Sequence, residues 1–319
     1  MAVWKAEKTL AAIDAAMCND GGNAYRRNLG LVLPHMGDAY RDTEDDRRSH
    51  LGASVIGGEC ERAVFYGFRW ASKKGVRGKK GEPKAKAESR MRRLWNRGHI
   101  EEARFIALLL SAGIQVYQQD ANGNQFRIIN LGGHFSGSGD GVGLCIPDLP
   151  YGVPALLEMK THSDDSFESL KEKGVRLSKP VHYVQMCEYM AHMGLLYALY
   201  LAVNKNTDEL WAEIVVADNA TAQTFMDRAQ RVVFGSLPQR IRGGNPGFYV
   251  CKYMCDHTDV CYSTVKPERS CRTCAMVYFA PDGKVLCLAE LNNTGGVALT
   301  KEQQIQGCAV YTLDKKLQP

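Results

Sequence analysis

The chain has 319 residues, 45% of them apolar and 24% charged, which suits a packed interior and sets aside wholesale disorder. Its 40 Lys and Arg against 35 Asp and Glu give a net charge of +5, too small to name a partner by itself. No stretch approaches the apolar length needed to span a bilayer, which sets aside a membrane-spanning reading.

In chain order, "MAVWKAEKTLAAIDAAM" carries charges inside its apolar pattern and reads as an amphipathic helix, not a signal peptide. The expectation is a cytoplasmic protein, and in that reducing compartment eleven cysteines argue for metal over disulfides. Residues 1–50 read as helix and polar connection. In "LGASVIGGECERAVFYGFRW", Ser54 is expected to cap a helix running to Trp70. From Arg69 to Arg97 basic residues dominate, opposed by Glu82 and Glu88 alone; such a run is most often a solvated surface or an exposed loop. A long helix follows, "AESRMRRLWNRGHIEEARFIALLLSAG", with Gly113 as its terminator.

From Ile114 the period changes. "IQVYQQD", "QFRIINL", "HFSGSGDGVGLCI" and "VPALLEMKTH" read as strands. A helix over 181–193 leads to a strand pair, "LLYALYLAVNK" and "ELWAEIVVA", then to a helix over 220–233. After Pro246 the chain becomes cysteine-rich. The expected class is α/β, a central mixed sheet flanked by helices, divided into 1–50 (helical), 51–246 (core) and 247–319 (cysteine-rich).

Side chains alternate along a strand, so Glu158 and Lys160 share a face. The bland reading is a cross-strand ion pair. The sharper one adds a second carboxylate. With the hairpin turn at "PDLPYG", strand partners sum to about 299 and Asp140 falls opposite Met159, beside Glu158 and Lys160; Asp148 falls at the turn, roughly 23 Å from Glu158. Asp140 is therefore the expected ligand. Carboxylates suit Mg²⁺ or Mn²⁺, which keep waters for attack on phosphorus, and a nearby lysine can hold or deprotonate such a water. Glu102, four residues after Gly98, can add a carboxylate, or be an ordinary solvated helix glutamate. Gln185 and Tyr189 share one helix face, either to orient a water or phosphate or as a core-edge pair.

Gly98-x3-Glu102, Asp140-Gly141, Glu158-x-Lys160 and Gln185-x3-Tyr189 together resemble the motif set of the RecB-like PD-(D/E)XK nucleases over roughly residues 51 to 261. The resemblance implies a restriction-endonuclease-like core, a divalent metal and cleavage of DNA. Members often carry His where Glu102 stands. The phage exonucleases and CRISPR-adaptation nucleases of this group carry one cysteine before the core and three after it, holding a 4Fe–4S cluster. Cys60, Cys251, Cys255 and Cys261 resemble that set, with three residues between Cys251 and Cys255 where the family shows two. Arg62 resembles the arginine of the family's Cys-Pro-Arg.

Of the other cysteines, Cys18, Cys145 and Cys187 stand apart in apolar contexts and read as structural. Cys271 and Cys274 form a two-thiolate knuckle, followed by Cys287 and Cys308; four thiolates can close a tetrahedral zinc site, and the pattern resembles the tail of some phage members. The rival is one iron–sulfur site with spare thiols. In this setting the basic run becomes a candidate arm for single-stranded or frayed DNA, carried by Lys73, Lys74, Lys79 and Lys80. The expectation is a phage-encoded, metal-dependent DNA exonuclease in a bacterial host cytoplasm, with a helicase, single-strand-binding protein or recombinase as companions. The alternative is a non-catalytic zinc or iron–sulfur DNA-binding or assembly module.

Overall fold

A computed structural model describes residues 3–40, 47–72, 83–292 and 295–317 of the chain. It divides into two compact units, Met1–Glu44, Val76–Ile128 and Ser138–Ala222 in the first, and Asp45–Gly75, Ile129–Gly137 and Gln223–Pro319 in the second. Residues 51–72, 129–137 and 223–246 of the expected core fall in the second unit.

The first unit is built on a five-stranded mixed sheet. In spatial order its strands are β1 (Gln115–Tyr117), β2 (Gly141–Leu144), β3 (Ala155–His162), β4 (Tyr197–Asn204) and β5 (Leu210–Val216). Only β3 and β4 run parallel; the other neighbours are antiparallel. The helices are α1 (Glu7–Asn19), α2 (Asn23–Val32), α3 (Lys84–Ser111), α4 (Asp164–Ser178) and α5 (Pro180–Met193). A parallel pair needs a crossover, and α4 with α5 supplies it. Among the described residues no helix is long and apolar enough to cross a membrane.

Alternation along the strands sorts the sheet into two faces. Leu157 and Met159 of β3, Leu199 and Leu201 of β4, and Ala212 and Ile214 of β5 join Ile13 of α1 and Phe105, Ile106 and Leu109 of α3 in one buried cluster. Each such side chain contributes about 1.5–3 kcal/mol on full burial. The other face carries Glu158, Lys160, His162 and Tyr200. α3 holds its length because it is rich in Ala, Leu, Arg and Glu, and it stops where Gly113 takes a left-handed φ of 82°. Asp148 caps α1, accepting from Thr9 N and Thr9 Oγ1 at 2.7 Å each and from Lys8 N at 3.2 Å.

Two sequence expectations need correction. The helix from Ser54 to Trp70 is broken into Ala53–Ile56 and Glu61–Phe68 because Gly57 and Gly58 interrupt it, and Cys60 stands at the N-cap of the second piece. The strand expected through "HFSGSGDGVGLCI" divides at Gly139 and Asp140: Phe135–Ser138 joins a small sheet with Leu51–Gly52, whereas Gly141–Leu144 is β2.

The second unit contains a three-stranded antiparallel sheet, Val277–Phe279, Val285–Asn292 and Gly295–Ala298, with the long strand central. Its packing centres on Arg272, 1% exposed among the rings of Phe68, Trp70 and Phe279. The guanidinium donates to Gln304 Oε1 at 2.9 Å and to Phe68 O at 3.0 Å. A buried charge needs such partners; removing the arginine leaves those acceptors unpaired.

Candidate active site

The β2–β3 register builds the site. Gly141 pairs with Leu157, Val142 with Leu156 and Gly143 with Ala155. Continued one step, that register sets Asp140 level with Glu158, not Met159 as expected. The strands are joined by a longer loop entered through Cys145 at φ 62°, not by a tight turn at Leu149 and Pro150. A slip of one residue sends a side chain to the opposite face, and the observed register is the one that puts Asp140 on the face of Glu158 and Lys160. The Met159 N–H donates to Asp140 Oδ2 at 2.9 Å and fixes the carboxylate there. Gly141 is required at this bend: φ is +149°, and a Cβ would lie 2.8 Å from Tyr117 O.

Lys160 Nζ pairs with Glu158 Oε1, donates to Met159 O at 3.1 Å and lies 3.8 Å from Asp140 Oδ2. Above them α5 presents Gln185 and Tyr189. Gln185 Nε2 donates to Glu158 Oε2 at 3.3 Å, and the Tyr189 hydroxyl donates to Ser138 O at 2.8 Å. On α3, Glu101 is turned to Arg104 at 3.0 Å, whereas Glu102 feels the acidic cluster.

Burial, then repulsion from Asp140 and Glu158 against the pull of Lys160, pushes Glu102 up to about 8. Glu158, fully buried, is pushed up to about 7 by its burial and by Asp140, with Lys160 opposing. Burial works against the Lys160 charge, yet Glu158 and Asp140 hold the ammonium above the ordinary lysine range. One cation is thus set against three carboxylates, and it is Glu102 and Glu158, the buried ones, that are raised.

That imbalance, with the buried Glu158 carboxylate set between Lys160 and Gln185, fits a divalent cation. Asp140 and Lys160 keep 21% and 27% of their side chains exposed, so the cluster opens to solvent. Among the described residues no three His, Cys, Asp or Glu side chains are drawn together around a point. Magnesium is commonly held by one or two carboxylates and keeps several waters, so an open pair suits it.

Both cysteine groups lie in the second unit. Cys60, Cys251, Cys255 and Cys261 line one hollow with Arg62, Arg240, Tyr66 and Tyr262. Arg62 Nη1 lies 3.8 Å from Cys261 Sγ, and Tyr262 OH 3.8 Å from Cys251 Sγ. A four-iron cubane interposes its own atoms between ligands, so sulfurs spread around a hollow fit it. Cys271, Cys274, Cys287 and Cys308 line a second hollow with mostly apolar neighbours. Burial raises the Cys271 thiol, and Cys308, Cys274 and Cys287 each add to the rise. Four thiols around one hollow suit a thiophilic metal, though a single zinc requires them to close to ~2.3 Å.

The basic arm of Lys73, Lys74, Lys79 and Lys80 lies outside the described residues. Sequence reasoning missed His162 and Tyr200, on the site's sheet face, and His182, which meets Tyr200 from α5. The signals were present: His162 is two residues after Lys160, and His182 is one turn before Gln185.

No family model and no curated protein matches the chain. Among solved structures, the chain is similar to the structure of SSO0001 at 14% identity, over 74% of this chain and 97% of that one, with a TM-score of 0.36. It is similar to the alkaline exonuclease LHK-Exo from Laribacter hongkongensis at 12% identity, over 58% and 87% of the two chains, with a TM-score of 0.35. For the complex of LHK-Exo with dAMP the values are 12%, 58%, 86% and 0.33. Scores this low leave both class and activity to the chain's own geometry.

Proposed function

We propose that the first unit is a metal-dependent DNA nuclease of the RecB-like PD-(D/E)XK type, acting as an exonuclease on single-stranded or frayed ends. The observation that carries this reading is the convergence of Asp140, Glu158 and Lys160 on one sheet face beneath Gln185. Asp140 and Glu158, with Glu102 beside them, would hold Mg²⁺ or Mn²⁺, which supplies charge compensation for the phosphate. The Lys160 ammonium holds a water for attack and offsets charge growing on the phosphate oxygens. Gln185 orients the Glu158 carboxylate, and Tyr189 fastens α5 to the segment leading into Asp140.

In the same reading Cys60, Cys251, Cys255 and Cys261 carry a 4Fe–4S cluster, and Cys271, Cys274, Cys287 and Cys308 a zinc ion. Both tie distant segments of the second unit together, and closing a long loop with such a clip lowers the entropy of the unfolded chain. A phage origin, a bacterial cytoplasmic setting, and a helicase, single-strand-binding protein or recombinase as companion belong to this proposal.

End-labelled DNA tests it. Wild type with Mg²⁺ or Mn²⁺ shortens the label progressively, while Asp140→Ala and Lys160→Ala do not. Equal degradation by all three proteins defeats the reading, and binding without cleavage by wild type favours a non-catalytic DNA-binding module.

A further inference from the structure

The sheet face that carries the acidic cluster also carries a hydrogen-bond chain that the proposal above leaves unused. Tyr200 of β4 is level with Glu158 of β3, and its buried hydroxyl meets two imidazoles, His162 Nε2 at 2.8 Å and His182 Nδ1 at 2.9 Å. The far nitrogen of His162, Nδ1, meets Ser166 Oγ at 3.1 Å. The three rings lie 5.9 to 6.3 Å apart. His162 is 6% exposed and Tyr200 is 0% exposed, so none of this is an incidental surface contact.

The proton count is restrictive. Burial, then the charge of Lys179 on His162 and of Lys160 on His182, pushes the two imidazoles down to about 4 and about 3, so both are neutral near pH 7. A neutral imidazole has one N–H and one bare nitrogen, and a phenol has one proton. Two arrangements satisfy the chain. In one of them Ser166 donates to His162, His162 Nε2–H to Tyr200, and Tyr200 to His182 Nδ1. His182 then carries its hydrogen on Nε2, at the opposite edge of the ring.

His182 is half-buried and stands in the first turn of α5, on the same helix face as Gln185 and Tyr189. Backbone N–H groups at a helix start favour an anion, and the Lys160 and Lys179 charges reach the His182 ring. A neutral donor suits this place, since a third cation beside two lysines would be repelled. Resting on the nuclease reading, we infer that His182 binds the substrate strand, its Nε2–H donating to a non-bridging oxygen of a phosphate adjoining the one cut. Tyr200 and His162 are positioning residues that fix the ring and its tautomer.

The test separates binding from cutting. In a Lys160→Ala background with Ca²⁺, fluorescence anisotropy of a 5′-fluorescein single-stranded oligonucleotide gives Kd. Adding His182→Ala weakens binding about tenfold, the scale of one hydrogen bond to a charged group, and His182→Gln, which supplies a neutral N–H of similar reach, restores most of it. In otherwise wild-type protein His182→Ala raises KM about tenfold with kcat within about twofold. Tyr200→Phe raises KM about threefold, and adds nothing once His182 is alanine. Should His182→Ala fail to fold, His182→Gln and Tyr200→Phe carry the test. Unchanged Kd and KM, or a fall confined to kcat, overturns the inference while cleavage by wild type and none by Lys160→Ala keeps the nuclease reading. If wild type neither binds nor cuts the oligonucleotide, both fall.

Discussion

In the first unit the charged side chains ride on β3 and its neighbours, strands whose other face is sealed by Phe105, Ile106 and Leu109. In the second unit the thiols ride on a helix cap at Cys60, a π turn around Cys251, a short 3₁₀ turn at Cys271 and an exposed position at Cys308. The carboxylate site is therefore held by hydrophobic packing that exists without any ion, whereas the thiol groups have only a hollow at their centre. The contrast teaches that metal should be structural in the second unit and chemical in the first.

Of the outcomes the proposal predicts, stripping metal from the thiols should give the largest. Binding energy at a structural site is folding energy, on the order of 10 kcal/mol for a zinc site. Cys60→Ser with Cys255→Ser should lose its iron by elemental analysis and abolish the cooperative thermal transition of the second unit. An unchanged melt would place the stability elsewhere. Next comes the acidic site: Asp140→Ala or Lys160→Ala should lower cleavage by roughly 100- to 1,000-fold with the melting temperature nearly unchanged. A large loss of stability instead would mean that these residues hold the fold.

Acidity sharpens the comparison further. Glu102 at about 8 and Glu158 at about 7 are raised above the ordinary carboxylate range, so from about pH 6.5 to 8, above the range in which the lowered His162 and His182 act the other way, these two groups hold more protons in the folded chain than in the unfolded one. In protein without added cation, stability should therefore fall as pH rises through that window, and Mn²⁺ should restore more of it at pH 8.5 than at pH 6. Thermal melts check the sign, and the double variant Asp140→Asn with Glu158→Gln should flatten the trend. The smallest effect is at Gly141: alanine there meets Tyr117 O at 2.8 Å and a φ of +149°. It should cost about 1–3 kcal/mol and displace Asp140, lowering cleavage with a modest drop in melting temperature.

Much of the first unit could be read from period and punctuation: the long helix up to Gly113, strand alternation around Glu158, and the helix over 181–193. The site residues were legible as types at spacings, because Glu158 and Lys160 must share a strand face and Gln185 and Tyr189 a helix face. Pairing register was not legible, since it depends on the backbone of the Cys145–Pro154 loop, and a left-handed Cys145 is invisible in composition. Nor did local pattern reveal that Phe135–Ser138 and Gly141–Leu144 join different sheets within a run that reads as a single strand. The Tyr200 relay escaped because a tyrosine inside "LLYALYLAVNK" looks like core until its hydroxyl partners are known.

The central claim is that Asp140 and Glu158 grip a hard cation beside Lys160, and that Glu158, pushed up to about 7 chiefly by burial, must give up its proton to do so. Calorimetric titration of Mn²⁺ at pH 7, repeated in buffers of different ionisation enthalpy, measures binding and proton release together. The account predicts one or more Mn²⁺ bound with protons released by wild type, and loss of both in the Asp140→Asn, Glu158→Gln variant. Manganese binding of equal affinity and proton release in wild type and variant would contradict it.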